Sequence, residues 1–223
     1  MAYTPAPKAV TPRGTYIWPK LNEPDTKYDP MGVYETKIAF DEDTDLSSMQ
    51  KRVQKLIDDK HSEIVDGLKA EGKAGLAKKI VKRPMDDLFK PEEDEATGEE
   101  TGRIIVKSKM KASGINKKTG KKWTRSPDVF DAKGNKLKTV PSIGGGTVGK
   151  LSVELAPYYA ANDKTVGVSL RLQGAQLIKL VSFGERNADD HGFGEEEGDD
   201  LSGYGADMED QVDTSDDEED DEL

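Results

Sequence analysis

Lys107, Lys109 and Lys111 occupy every second position of a run without acids, in a chain whose formal net charge is −11. From Ile104 to Pro127 there is no Asp or Glu, and the same window also holds Lys117, Lys118, Lys121, Lys122 and Arg125. Successive residues of a strand point to opposite faces. As a strand, the first half of the run puts Ile105, Lys107, Lys109 and Lys111 on one side. Ile104, Val106, Ser108, Met110 and Ala112 fall on the other. Gly114 to Lys122 then reads as a basic hairpin loop with Thr119-Gly120 as its turn, and Trp123 stands among cations next to it. The chemistry open to such a set is polyanion binding: ammonium groups for phosphates and a ring face for bases. The residues alone suit a solvated strand and a soluble loop equally well.

Other chemistry finds less support. There is no cysteine, so thiolate catalysis, disulfides and zinc–thiolate sites are excluded. His61 lies on a helical pattern and His191 in an acidic tail, a poor metal or acid–base pair. Gly144, Gly149 and Lys150 match most of a phosphate-binding P-loop, but Leu151 stands where the motif needs Ser or Thr. Alternation after Lys150 also predicts a strand rather than the required helix. The glycines are better explained by a tight turn or a close backbone approach. No cofactor or metal is implied, and the reading is non-enzymatic. Tyr158 and Tyr159, after Pro157, join Trp123 as candidate stacking rings, with Trp18 and Tyr34 behind them.

Charge is distributed unevenly. From Glu185 to Leu223 nineteen acids face one base, a charge of −18 that leaves +7 on residues 1–184. The body should attract polyanions. The tail, ending in DTSDDEEDDEL, cannot bury enough apolar surface to offset its ordering entropy and is expected to be disordered. No run approaches membrane-spanning length, and no secretory signal is read at the start.

Positioning elements follow in order. Residues 1–14, rich in proline, are expected to form a flexible arm. Thr15–Pro19 and Gly32–Phe40 read as strands, the second with Tyr34, Thr36, Ile38 and Phe40 on its core face. Leu46, Met49, Val53, Leu56, Ile57, Ile64 and Leu68 recur at helical steps, and Ser47 with Gln50 has capping-box spacing. Residues 70–102 read as a long insertion with little structure. Lys150–Pro157, Val166–Gln173 and Ala175–Phe183 read as further strands. The expected fold class is mainly β with one principal helix: a five- or six-stranded barrel over 15–184, then the disordered tail 185–223.

Val140-Pro-Ser-Ile-Gly-Gly-Gly146, the Lys150–Tyr158 strand ending Ala-Pro-Tyr, Val166–Leu172 and Leu177–Gly184 resemble the single-stranded-DNA-binding proteins of short-tailed coliphages and related phages. The helix after Asp45, the Lys107/Lys109 strand with Ala112-Ser113 and the acidic tail fall in matching order. The resemblance is close over 140–184 and loose over most of 15–184. It implies an OB-fold that coats single strands during phage DNA replication, recombination and repair, in the cytoplasm of the infected bacterium. It also implies a homodimer and a tail that contacts the phage DNA polymerase and helicase/primase, here through Asp216, Asp217, Glu218, Glu219, Asp220, Asp221, Glu222 and Leu223. Lys107, Lys109, Lys150 and Tyr158 are the positions that best match nucleic-acid contacts. The family's tail characteristically ends in an aromatic residue, whereas Leu223 ends this one, which implies different tail contacts. Two rival readings stand beside it: an acidic interaction or chaperone module, and an RNA-binding OB protein. Phosphates and bases are common to DNA and RNA, so the residues do not separate them.

Overall fold

The computed structural model describes residues 6–94 and 96–182. Contacts group the chain into Met1–Glu185 and Arg186–Leu223. The acidic tail, including Asp216 to Leu223, lies outside the described residues, and so does its expected disorder.

Strand β1 (Lys8–Val10) is followed by β2 (Gly14–Asp25) and β3 (Val33–Phe40). Helix α1 (Ser47–Ala70) then leads through α2 (Ala74–Ala77), β4 (Val81–Lys82) and β5 (Lys90–Glu93) to β6 (Glu100–Lys111). A small hairpin, β7 (Ser113–Ile115) with β8 (Lys122–Thr124), and β9 (Asp128–Phe130) precede the two longest strands, β10 (Val148–Ala160) and β11 (Thr165–Lys179).

Five of these strands close on themselves. β2 pairs β3, β3 pairs β6 and β10 pairs β11, all antiparallel. β10 returns to β2 at Thr15 and Gly14, while β6 meets β11 in parallel through the Lys109–Arg171 pair. This ring, with its narrow β6–β11 junction, is the partly open arrangement of OB-like domains. Inside it lie fully buried Tyr16, Ile38, Phe40, Val106, Leu151, Leu155 and Leu172. The core face expected for β3 is the one observed, and α1 packs Met49, Val53 and Ile57 onto β10 and β11.

The structure corrects three expectations. Within the proline-rich arm, residues 8–10 pair antiparallel with β10. Ala9 is buried, and Thr11 exchanges two hydrogen bonds of 2.9 Å with the Leu151 backbone. Prolines flank this edge strand without interrupting its pairing. Residues 70–102 are also largely structured: β4 joins β11, β5 joins β6, and Ile80 and Phe89 are buried. These strands are too short and too charged to show a period. Finally, Ser47 and Gln50 form no capping box; the Asp45 carboxylate accepts the Ser47 N–H at 2.8 Å instead. The Ser47 side chain first, and then this backbone bond, hold the Asp45 carboxyl below its usual range.

Gly149 shows why the P-loop resemblance is coincidental. It lies inside β10, and a Cβ there would collide with the Gln176 carbonyl and the Tyr16 hydroxyl. Tyr16 donates that hydroxyl to the Lys150 carbonyl at 2.8 Å, and burial pushes its phenol pKa up. Gly149→Ala should therefore destabilise the domain by about 1–3 kcal/mol, seen as a lower urea midpoint at unchanged m. Tyr16→Phe should not rescue it, because the Gln176 carbonyl stays in the way.

Candidate nucleic-acid interface

The row of lysines is real. On β6, Val106, Ser108 and Met110 are buried and Lys107, Lys109 and Lys111 are exposed. Register with β3 sets their neighbours: Lys37 lies opposite Lys107, Glu35 opposite Lys109 and Val33 opposite Lys111. The acid-free segment thus acquires acids from β3 and the loop before it. Glu35 lies 3.0 Å from the Lys107 ammonium and 3.5 Å from that of Lys109, while Asp29 lies 3.7 Å from Lys111. Exposed pairs of this kind contribute about 0–1 kcal/mol, so the lysines can exchange a carboxylate for a phosphate at little cost.

These lysines line an open groove of about 790 Å³ with Tyr28, Arg125 and Arg171. Lys107 and Lys109 also border a second hollow of about 440 Å³, with Arg83, Leu88, Tyr158 and Val168. It opens beside the narrow β6–β11 junction.

Two candidate rings are seated on glycines. Trp123 pairs across the hairpin with Gly114, whose Cβ, if present, would lie 2.5 Å from the indole Cζ2. The Arg125 guanidinium sits 5.1 Å from the same ring and donates to the Lys111 carbonyl at 2.8 Å, joining hairpin to groove. Tyr158 pairs with Gly167, where a Cβ would lie 2.6 Å from the phenol oxygen. That oxygen accepts a 2.9 Å bond from Arg83, which also holds Asp87 at 2.7 Å. Asp87 first, then Tyr158, raise the guanidinium pKa.

The remaining candidates divide. Lys117, Lys118, Lys121 and Lys122 are exposed on the β7–β8 hairpin, whose turn is held by Asn116 and by Gly120 at φ +68°. Lys150 lines a different, smaller cleft with Val10 and Phe130. Tyr159 packs against the core, and Tyr34 is buried within it. Sequence reasoning missed Tyr28 and Arg171 in the groove, Arg83 in the second hollow and Lys37 opposite Lys107. Lys37 could have been found, since strand parity puts it opposite the core face of β3. Arg83 and Arg171 arrive through pairing of β4 and β11, which no local pattern announces.

The family model described as single-stranded DNA-binding protein, bacteriophage T7, matches residues 14–180. The chain belongs to this family. A single-stranded DNA-binding protein of Enterobacteria phage T3 is 29% identical over 174 residues, covering 76% of this chain and 74% of the relative. That of Escherichia phage T7 is 36% identical over 83 residues, 37% of this chain and 36% of the relative. The crystal structure of gp2.5, a single-stranded DNA-binding protein encoded by bacteriophage T7, superposes with a TM-score of 0.60 at 24% identity. It covers 86% of this chain and 97% of that one, which supports the OB-like fold.

The ring-on-glycine seats can be tested in this family member directly. Gly167→Ala should lower stability by about 1–3 kcal/mol through overpacking, measured by urea denaturation. In a Tyr158→Ala background the same change should cost nearly nothing, because the atoms it strikes are gone.

Proposed function

We propose that this chain coats single-stranded DNA without reading its sequence. The observation that carries the reading is the exposed Lys107–Lys109–Lys111 row on the ring, in a groove that Arg125 links to Trp123 and beside a hollow lined by Tyr158. β3 and β6 are the second and third strands of the ring, and in OB domains that face binds oligonucleotides. Lysines take phosphates, while Trp123 and Tyr158 stack on bases at roughly 1–3 kcal/mol per base. Family membership supports DNA over RNA, and phage replication, recombination and repair in the infected cell's cytoplasm as the setting. Binding involves no catalysis. A homodimer is the assembly that the family suggests.

The tail regulates this groove. A −18 segment tethered to a +7 body has a high effective concentration at any cationic track. Its departure point is described: Val181 is held by Thr147 at 3.0 Å and by Gly144 at 2.6 Å after β11. Incoming DNA displaces the tail and frees it to contact the polymerase and helicase/primase.

A fluorescence titration with single-stranded DNA, single-stranded RNA and duplex, at two salt concentrations, tests the proposal. Tight, salt-sensitive binding of the DNA strand with quenching of tryptophan emission is expected. Failure to bind in dilute buffer, even with 185–223 removed, sinks it, and stronger binding of RNA would favour the rival polymer.

Removing 185–223 should tighten binding at low salt; unchanged affinity would end the competition idea. Lys109→Ala should reduce the slope of log affinity against log salt by about 0.7. Trp123→Ala should weaken binding with that slope unchanged. Glu35→Gln should act oppositely to lysine removal and tighten binding several-fold, because one carboxylate restrains two lysines. Weaker binding by Glu35→Gln would show that the carboxylate organises the lysines instead of restraining them.

A further inference from the structure

Trp18 adopts a backbone conformation that its sequence disfavours twice. Its φ is +48°, a left-handed value that is an outlier for a bulky residue. It also precedes Pro19, which biases the preceding residue toward extended conformations. The cause is a bulge: the β2–β3 register shifts between Ile17 and Lys20. Tyr16 is inward before the bulge, and Pro19 and Leu21 are inward after it. The extra residue pushes the indole out of the ring, where Trp18 is 76% exposed. Buried neighbours on both sides hold the strained backbone; the Tyr16 N–H also donates to the Thr147 carbonyl at 2.8 Å, and the Tyr16 carbonyl accepts from the Gly146 N–H at 3.0 Å. Such outliers persist only where the surroundings enforce them, and they cluster at ligand contacts.

What Trp18 faces is a cleft of about 820 Å³ bordered by Lys37, Leu88, Pro91, Ile105 and Lys107. Lys107 is shared with the lysine groove, so cleft and groove meet at this residue. Asp87, Glu92, Glu93 and Asp94 line the cleft as well; Asp87 is paired with Arg83 at 2.7 Å and Glu92 with Arg103 at 3.1 Å. The β3–β6 side, with Lys37 directly opposite Lys107, remains cationic.

We propose that Trp18 is a further base-stacking subsite, which extends the track past Lys107 toward the β2 bulge. This rests on the reading of the groove as a single-strand site. Trp123 and Arg125 then mark one end of the track and Trp18 the other, with the lysine row of β6 between them, about 13 Å from Lys107 to Lys111. An exposed indole between cations and a partly apolar floor takes any base face, which suits sequence-independent binding.

Trp18 and Trp123 are the two tryptophans of the chain, so each can be observed alone. In full-length Trp123→Phe, saturating oligothymidylate of about 16 nucleotides should quench Trp18; in Trp18→Phe it should quench Trp123. Trp18→Gly should weaken binding of that oligomer about tenfold with an unchanged salt slope. Its melting temperature should not fall, since glycine accepts the left-handed backbone. Quenching of Trp123 without Trp18 would overturn the subsite and leave the groove standing. A parallel loss of melting temperature and affinity in Trp18→Gly would make Trp18 structural and overturn it equally. If neither tryptophan responds and the oligomer is not bound, the groove reading itself has failed.

Discussion

Lys37 and Lys107 face each other directly across β3 and β6, a pairing that opposes strand association. What holds this register lies on the other face. Ile38, Phe40 and Val106 are fully buried, and a slip of one residue would turn them all to solvent. Because strand side chains alternate, the same register that buries these groups fixes the lysine row outward. The core and the lysine row are therefore one constraint seen from two sides. A cationic face of this density is maintained by apolar packing behind it, with Glu35 relieving part of the repulsion in front.

Rings are placed by a second device. Trp123 and Tyr158 each lie over a glycine on the neighbouring strand, where no side chain props them up. Arg125 stands over the Trp123 ring and Arg83 donates to the Tyr158 hydroxyl, so each ring is held in its orientation. Rings held beforehand would lose less freedom if a ligand stacked on them. Trp18 reaches a similar outcome by the opposite route, through a strained bulge rather than a permissive glycine.

Much of this could be read from residue patterns because it depends on local periods. The β6 alternation, the inward face of β3 and the spacing of Met49, Val53 and Ile57 each carry their own period. The family resemblance at 140–184 rests on β10 and β11, the longest ladder in the ring. What could not be read depends on pairing between distant segments. β1 becomes a strand only because the edge of β10 accepts it, against the bias of its prolines. Glu35 is remote from the lysines in sequence and beside them in space. Arg171 enters the groove because the ring closes in parallel at Lys109. Tyr159 shows the limit of residue type as a guide: an aromatic next to a groove residue on a strand faces the other way, and here that way is the core.

The ion pairs around Glu35 and Asp29 connect geometry to behaviour. Each is exposed and individually weak, so neither carboxylate locks a lysine. They keep the ammonium groups near the strand surface, and they set a local negative potential that an arriving phosphate must overcome. A groove without them would bind more tightly and release more slowly, since affinity changes among related complexes fall mainly on dissociation. On the proposed reading, a coat that must give way to other enzymes needs the second property limited. Resident acids restrain the lysines within the fold through exposed pairs that lose strength as salt rises.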